Sequence, residues 1–519
     1  MARRFNIAGP CFPPKHYTIE TDRCTGNARG LINDGLYFVL HAARQTGKTT
    51  TLKALTRSIN AEGKYYALYC SLEAIERITD VHEGIQSLFS VIQMNFMLSH
   101  IPNGDRFGEN SDVDFAIKIR LSLSRFCMLL DKPLIIFFDE ADCLQADLLI
   151  NFLRQLRDGY VSREETPFVH SIALVGMRNI RDYEDQIRGE AKTLGSASPF
   201  NIISDAFTLN NFTFEEVAAL YQQHTDESGQ LFEPDAVSMV WEKTQGQPWL
   251  VNAIAYEIIE EQLNRDYSQT IISDMVLKAI NAILIRRDTH VDSMLYRLKE
   301  PRVKLIVESM ILGDEAIFDW TSDDYQYVRD IGLIHPVKIP IRPANPIYNE
   351  MICRALSYAF QEEMAYKETP YVMPRYLLDG KIDMDYLMSD FQQFWRENGE
   401  IWKDKYDYKE AAPHLIMMAF LQRVINGGGY INRDYALGYG RLDVCVDYEK
   451  HRYPIELKLR RGDITYEKAF SQLAGYMDHL GCTEGWLVVF DRRPELAWDE
   501  KIFIRKETVT NKTITIVGC

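Results

Sequence analysis

Apolar residues along this chain follow two rhythms: short unbroken runs, and longer stretches in which they recur every three or four positions. An unbroken run bounded by turn residues suits a strand buried on both faces, whereas a period near 3.6 suits a helix packed against such a sheet. The N-terminal half therefore reads as a parallel sheet with crossover helices. Strands are expected over 37–40, 64–71, 134–138, 171–178 and 207–212, a helix over 50–59, helical periodicity to about residue 100 and a polar loop over 103–111. Residues 213–263 are helical in period, broken at Thr244-Gln245-Gly246-Gln247-Pro248-Trp249. After residue 282 the pattern changes to helices over 302–312 and 322–330, with short apolar pieces at 316–318, 332–334 and 339–341. The last stretch opens a helix at Glu410-Ala411-Ala412-Pro413-His414, proline being tolerated in a first turn, and Asn426-Gly427-Gly428-Gly429 stops it. Strands over 430–435, 441–446 and 453–459 follow, then a helix over 466–480.

These changes of rhythm divide the 519 residues into 1–34, a core 35–210, a helical lid 211–281, a unit 282–356, linking helices 357–404 and a final α/β domain 405–519. The net charge of −16 argues against a surface coated for nucleic acid, so any such contact is a local basic patch. No apolar run approaches the roughly 18 residues that span a bilayer, and no apolar segment follows the arginines of MARRFNIAGPCFPP. The expectation is a cytoplasmic protein with no membrane partner. Nine cysteines stand singly, none in a C-x-x-C pair, which reads as reduced thiols rather than a metal site.

Two stretches carry chemistry. In the first, LYFVLHAARQTGKTT, a strand runs into a loop and a helix. The backbone of Ala43, Arg44, Gln45, Thr46, Gly47, Lys48, Thr49 and Thr50 would wrap the phosphates of ATP or GTP. Lys48 would bridge the terminal phosphates, and the Thr49 hydroxyl would hold Mg²⁺. The glycine usual five positions before Gly47 is Ala42 here, which narrows the dihedral choice and removes no N–H donor. Downstream, PLIIFFDEAD places two acids at the C-terminal end of a buried strand, where a doubly wound sheet binds its ligand. Asp139 would hold Mg²⁺ through water, and Glu140 would act as general base on the attacking water. The bland alternative is an acidic helix cap.

The second stretch is Tyr453-Pro454-Ile455-Glu456-Leu457-Lys458-Leu459. In a strand Glu456 and Lys458 share one face, opposite Ile455, Leu457 and Leu459, and charges on such a strand are costly to bury without a partner or a task. Asp443, across the hairpin, would be that partner; Asp443 and Glu456 could then hold Mg²⁺ while Lys458 stabilises a pentacovalent phosphate. Glu-x-Lys alone is also what a solvated strand face looks like.

Phosphate loop, DEAD-like acidic pair, strand ending in Arg178 and the Gly-x-Pro turn at Pro248 together resemble the STAND class of AAA+-related ATPases, over roughly residues 30–265. The resemblance implies that Arg178 reads the γ-phosphate and that Pro248 approaches the nucleotide, although Arg178 also reads as a surface arginine. It further implies that the segment around His16, Tyr17, Thr18 and Arg23 lies over the adenine, packing against the first strand being an equal account. Residues 282–356 resemble a winged helix, either DNA-binding or packed against the lid as a regulatory element. Asp443, Glu456 and Lys458 resemble the PD-(D/E)xK nuclease motif, with Leu442 in place of its proline. The same resemblance adds Glu410 as a further acid and Gln472 as the glutamine of resolvase-like branches.

The whole chain is similar to a bacterial family that fuses the two parts. It implies a restriction-endonuclease-like domain regulated by ATP, with DNA as substrate, a role in defence against foreign DNA or in mobile elements, and room for a homo-oligomer. The contrasting expectation is a signalling switch whose last domain only holds nucleic acid or a protein.

Overall fold

The structure, a computed structural model, describes the chain outside residues 1–2, 20–21, 110–111, 178–201, 287–293, 295, 313–321, 336–340, 366–375, 406–411, 426–428, 433–434, 438–439, 443, 449, 461–466, 492, 494–495 and 510. Arg178, Glu410 and Asp443 thus lie outside the described residues. Two compact units are present, Met1–His290 with Phe318–Pro336, and Val291–Ile317 with Val337–Cys519.

The first unit is built on β1 (Tyr37–His41), β2 (Tyr66–Ser71), β3 (Leu134–Asp139), β4 (Ser171–Gly176) and β5 (Ile203–Thr208), every pairing parallel, in the order β2-β3-β4-β1-β5. Every residue of β1, β3 and β4 is buried, as a sheet covered on both faces requires. Alternation within the strands sorts the core. Phe38, Leu40, Ile135 and Phe137 pack with Ala28 and Ile32 of α1 (Asp22–Asn33) and with Leu52, Leu55 and Ile59 of α2 (Lys48–Glu62). Tyr37, Val39, Leu134, Ile136 and Phe138 face α3 (Val81–Leu98), α4 (Phe115–Cys127) and α5 (Ala146–Val161). The fifth strand lies earlier than its apolar run suggests, because it is an edge strand whose Ser204 and Asp205 are exposed and therefore polar.

Three helices follow, Phe214–Ser228, Pro234–Thr244 and Pro248–Tyr256, the last running into a π-helical turn Glu257–Gln262. Thr213 and Glu216 form a reciprocal capping box at the first. Helix Asp323–Asp330 also belongs to this unit, whereas helix Pro301–Leu312 belongs to the second, so the stretch read as one winged-helix unit is divided between them.

The second unit holds two short strand pairs, β6 (Leu377–Leu378) with β7 (Lys381–Ile382) and β9 (Tyr435–Leu437) with β10 (Gly440–Leu442), and a six-stranded sheet. The sheet's strands are β8 (Gly429–Asn432), β11 (Val444–Tyr448), β12 (His451–Arg460), β13 (Glu484–Asp491), β14 (Phe503–Val509) and β15 (Lys512–Gly518), in the order β14-β15-β13-β12-β11-β8. β12, β13 and β15 are parallel neighbours, while β8, β11 and β12 run antiparallel in succession. Leu473, Tyr476 and Met477 of helix Glu467–Leu480 cover the face of Leu487, Val489, Ile514 and Ile516. The opposite face meets helix Met384–Lys405, where the Trp395 ring lies 4.9 Å from Phe490 and Gln392 Nε2 donates to the Gly518 carbonyl at 2.6 Å. Within the stretch read as linking helices 357–404, buried Leu387, Met388, Phe391 and Trp395 recur at helical spacing and pack on the sheet of the second unit.

Replacing Trp395 by alanine is expected to cost about 3–5 kcal/mol, because a fully buried ring leaves a cavity. Urea denaturation followed by tryptophan fluorescence and circular dichroism checks it as a lowered midpoint for the second unit.

Candidate active site

After His41 the backbone turns left-handed at Gln45 (φ 57°) and Gly47 (φ 91°), not at Ala42. Ala42 is buried and its N–H donates to the Gly176 carbonyl at 3.1 Å, which explains why alanine serves where a glycine is usual. The turn leads directly into α2, so that its N-terminal N–H groups face the loop. Lys48 folds back over the loop, its Nζ donating to the carbonyls of Ala42 at 2.8 Å and Ala43 at 2.9 Å. Burial lowers its pKa, and the nearby carboxylates of Glu140, Asp142 and Asp139 act the other way.

The Thr49 hydroxyl donates to Asp139 Oδ2 at 2.7 Å, and the Tyr69 hydroxyl donates to the same oxygen at 2.8 Å. Asp139 Oδ1 accepts from the Glu140 N–H at 3.0 Å, so the fully buried carboxylate has donors on both oxygens. Glu140 sits left-handed at φ 58°, a conformation costing roughly 1–2 kcal/mol for a residue with a Cβ and concentrated at functional positions. Burial raises the pKa of its carboxyl, with the charge of Asp139 adding to the effect. The tip of β4 is tied in by Asp142 Oδ2, which accepts from the Met177 N–H and would lie 2.5 Å from a Cβ added to Gly176.

Three other segments reach the loop. Gln247 accepts from the Leu250 N–H at 2.6 Å, capping the helix begun by buried Pro248, and its Nε2 donates to the Gln45 carbonyl at 3.4 Å. The turn before it requires glycine: Gly246 has φ 71°, and an added Cβ would stand 1.8 Å from the Phe212 carbonyl oxygen. From the N-terminal segment, the Cys11 N–H donates to Thr50 Oγ1 at 3.0 Å, while Trp249 Nε1 donates to the Ile7 carbonyl at 3.0 Å and Tyr17 meets His224 at 3.2 Å. That segment packs on the lid and the start of α2, and α1, also within residues 1–34, sets Ala28 and Ile32 against Phe38 and Leu40 of β1. Finally Asp330 Oδ2 approaches His41 Nε2 at 3.7 Å, and a Cβ on Gly332 would meet the Ala43 Cβ at 2.5 Å. Burial lowers the pKa of His41, against the pull of Asp330, which leaves the imidazole neutral and bonded to Thr208 Oγ1 at 2.8 Å.

Tyr69, Gln247, His41 and Asp330 are thus members of the site that sequence reasoning did not name. A buried histidine beside the loop was a usable signal for one; the others come from distant segments.

In the second unit Lys458 Nζ lies 2.7 Å from Glu456 Oε1, the glutamate being 1 % exposed and the lysine side chain 39 % exposed. The register Glu456↔Leu487 and Lys458↔Val489 puts both on the sheet face covered by helix Glu467–Leu480, on which Gln472 is half-buried beside Leu473. Among the described residues no three His, Cys, Asp or Glu side chains converge to hold a metal.

Parallel sheet, phosphate loop and paired acids agree with a further finding, that the AAA-like domain family matches residues 17–349. The chain belongs to that family. The match extends beyond the lid to the segment containing Asp330 and Gly332, residues that pack on the loop. Among solved structures, the Walker-type ATPase PABY2304 of Pyrococcus abyssi is similar at 13 % identity and a TM-score of 0.48, over 67 % of this chain and 99 % of that one. Cdc6p from Pyrobaculum aerophilum gives 13 % and 0.38 over 68 % and 97 %. The RuvB Holliday junction branch migration motor of Thermotoga maritima gives 14 % and 0.34 over 64 % and 93 %. These likenesses are too weak to carry a function across. No curated protein matches the chain.

As an AAA-like ATPase domain, the first unit should lose activity on acidification earlier than an ordinary glutamate would dictate. If Glu140 is the general base it must be ionised to accept a proton, and its pKa is raised, so kcat for ATP measured against pH is expected to show an acid limb above the ordinary glutamate range. Gly246→Ala is expected to destabilise the unit by more than about 1 kcal/mol and to lower ATP turnover, checked by thermal unfolding and a phosphate-release assay.

Proposed function

We propose that the chain is an ATP-hydrolysing, STAND-like regulator of its own Mg²⁺-dependent DNA endonuclease domain, acting in defence against foreign DNA. For the nucleotide half, the support is the pairing of the Thr49 hydroxyl with the Asp139 carboxylate, 2.7 Å apart beside Lys48. A hydroxyl and a carboxylate are the hard oxygen donors that Mg²⁺ prefers, and the ion would neutralise charge on the transferring phosphoryl group. Thr49 would hold it directly and Asp139 through water. Lys48 would exchange its two loop carbonyls for phosphate oxygens, Glu140 would orient and deprotonate water, and Arg178 would read the γ-phosphate. Gln247 and the Asp330–Gly332 segment, both touching the loop, give nucleotide state a route to the lid and to a winged-helix-like element with a regulatory role.

For the nuclease half, the single observation that carries the reading is Glu456, 1 % exposed, with Lys458 at 2.7 Å. A carboxylate buried at such cost points to a task. The order of elements supports it: helix Ala412–Ile425, antiparallel strands ending in β12, helix Glu467–Leu480, then β13 parallel to β12. With Asp443, Glu456 would hold Mg²⁺ against a scissile phosphate, Lys458 would stabilise the developing charge, and Glu410 and Gln472 would complete the PD-(D/E)xK set. Among the described residues no helix is long and apolar enough to cross a membrane, in keeping with the proposed cytoplasmic place. The net charge of −16 favours, as a second reading, a switch in which the last domain only binds a partner.

Plasmid nicking in Mg²⁺, with and without ATP, separates the two. Glu456→Ala and Lys458→Ala are expected to lower nicking about 100-fold or more with ATP turnover intact, and Lys48→Ala to remove the response to ATP. Nicking by both variants at the parent's rate overturns the nuclease reading. Silence of both, with Lys48→Ala alone abolishing function, selects the switch.

A further inference from the structure

We infer that Tyr69 is a positioning residue of the nucleotide site, fixing Asp139 Oδ2 in the orientation from which, beside the Thr49 hydroxyl, it would hold Mg²⁺ through water. The inference rests on the Mg²⁺ reading above and adds a residue from outside both nucleotide motifs.

The motivating observation is that one fully buried carboxylate oxygen accepts two hydroxyls, from Thr49 at 2.7 Å and Tyr69 at 2.8 Å. These donors come from different elements, Thr49 from α2 and Tyr69 from β2. A hydroxyl has one O–H and two lone pairs, so Thr49 could offer a lone pair to Mg²⁺ and still donate its proton to Asp139, whereas Tyr69 would serve Asp139 alone. Without Tyr69, Oδ2 would keep a single hydroxyl donor, and an orienting bond of this kind is typically worth about 10–100-fold in metal affinity.

The fold holds Tyr69 for this role from three sides. β2 and β3 are parallel with Tyr69 opposite Phe137, so the tyrosine shares a sheet face with Asp139 two residues on. Just past β2, the Leu72 N–H donates to the Asp139 carbonyl at 2.9 Å, stitching the ends of the two strands together. On α2, Lys53 stands one turn beyond Thr49 and places its Nζ 4.9 Å from the Tyr69 ring centroid, clamping the ring from above. A merely structural tyrosine would need none of this convergence on the carboxylate proposed to hold Mg²⁺ through water. Tyr66 of the same strand, whose hydroxyl donates to exposed Asp131 at 2.9 Å, is the internal control.

The test compares the parent, Tyr69→Phe and Tyr66→Phe, each checked for an unchanged unfolding midpoint. Mn²⁺ binding is read by electron paramagnetic resonance in the presence of a non-hydrolysable ATP analogue, and fluorescent ATP binding is measured in EDTA. Tyr69→Phe is expected to weaken Mn²⁺ binding about tenfold or more and to raise the Mg²⁺ half-saturation of turnover in parallel, with metal-free nucleotide affinity within about twofold of the parent. Tyr66→Phe is expected to match the parent throughout. In an Asp139→Asn background, Tyr69→Phe should change Mn²⁺ binding by less than about twofold, since the carboxylate it positions is gone. Parent-like Mn²⁺ binding by Tyr69→Phe, or an equal loss in the Asp139→Asn background, overturns the inference alone. A parent protein whose nucleotide binding ignores divalent metal overturns the Mg²⁺ reading itself, and this inference with it.

Discussion

The nucleotide half of the molecule depends on a charge placed where water cannot reach it. Asp139 ends a fully buried strand of a parallel sheet, and its carboxylate has no exposed surface. An ionised carboxylate in that position is tolerable only if donors are brought to it. They come from α2 through Thr49, from β2 through Tyr69 and from the next peptide through Glu140, so one side chain ties together the loop helix, the edge strand and the acidic turn. The left-handed backbone at Glu140 and the close fit of Asp142 against Gly176 surround the same point, and they keep the general-base candidate from relaxing into an ordinary cap.

Around this centre the phosphate loop is touched by parts of the chain far away in sequence. Gln247 reaches Gln45, Cys11 reaches Thr50, and Gly332 lies against Ala43. Each contact is small, one to the Gln45 carbonyl and the others to the side chains of Thr50 and Ala43, on either side of Lys48, which itself lies across two loop carbonyls. In the proposed phosphate-binding role that lysine would leave those carbonyls, and a loop that changed shape would disturb whatever rests on it. A segment read as part of a separate winged-helix unit proves to be, around Asp330 and Gly332, a component of the nucleotide-binding unit and of the AAA-like family match.

The second unit poses the same electrostatic problem on a different sheet. Glu456 is buried beside Lys458 on the face of helix Glu467–Leu480, while Ile455 and Leu457 make the other face of β12 apolar and buried. An ion pair there is a weak stabiliser, since desolvation offsets much of its attraction. The glutamate sits in the buried middle of β12 while the lysine side chain beyond it is 39 % exposed, so the pair runs from the core toward solvent.

Much of this is legible in sequence, because burial on both faces leaves an unmistakable record: β1, β3 and β4 are unbroken apolar runs, and Gly47-Lys48-Thr49 and Asp139-Glu140 stand at their ends by simple adjacency. Glu456 and Lys458 share a face because strands alternate, which the spacing alone dictates. Edge strand β5 is blurred because one exposed face admits Ser204 and Asp205, and helix Met384–Lys405 passes for a linker because its apolar stripe gives no hint of which sheet it covers. Only the tertiary structure could choose Tyr69 from 28 tyrosines, or bring Gln247 and Gly332 to the loop. Local sequence determines which residues can bear charge or fill a core; which donor meets which buried acid is decided by chain crossings that no local pattern encodes.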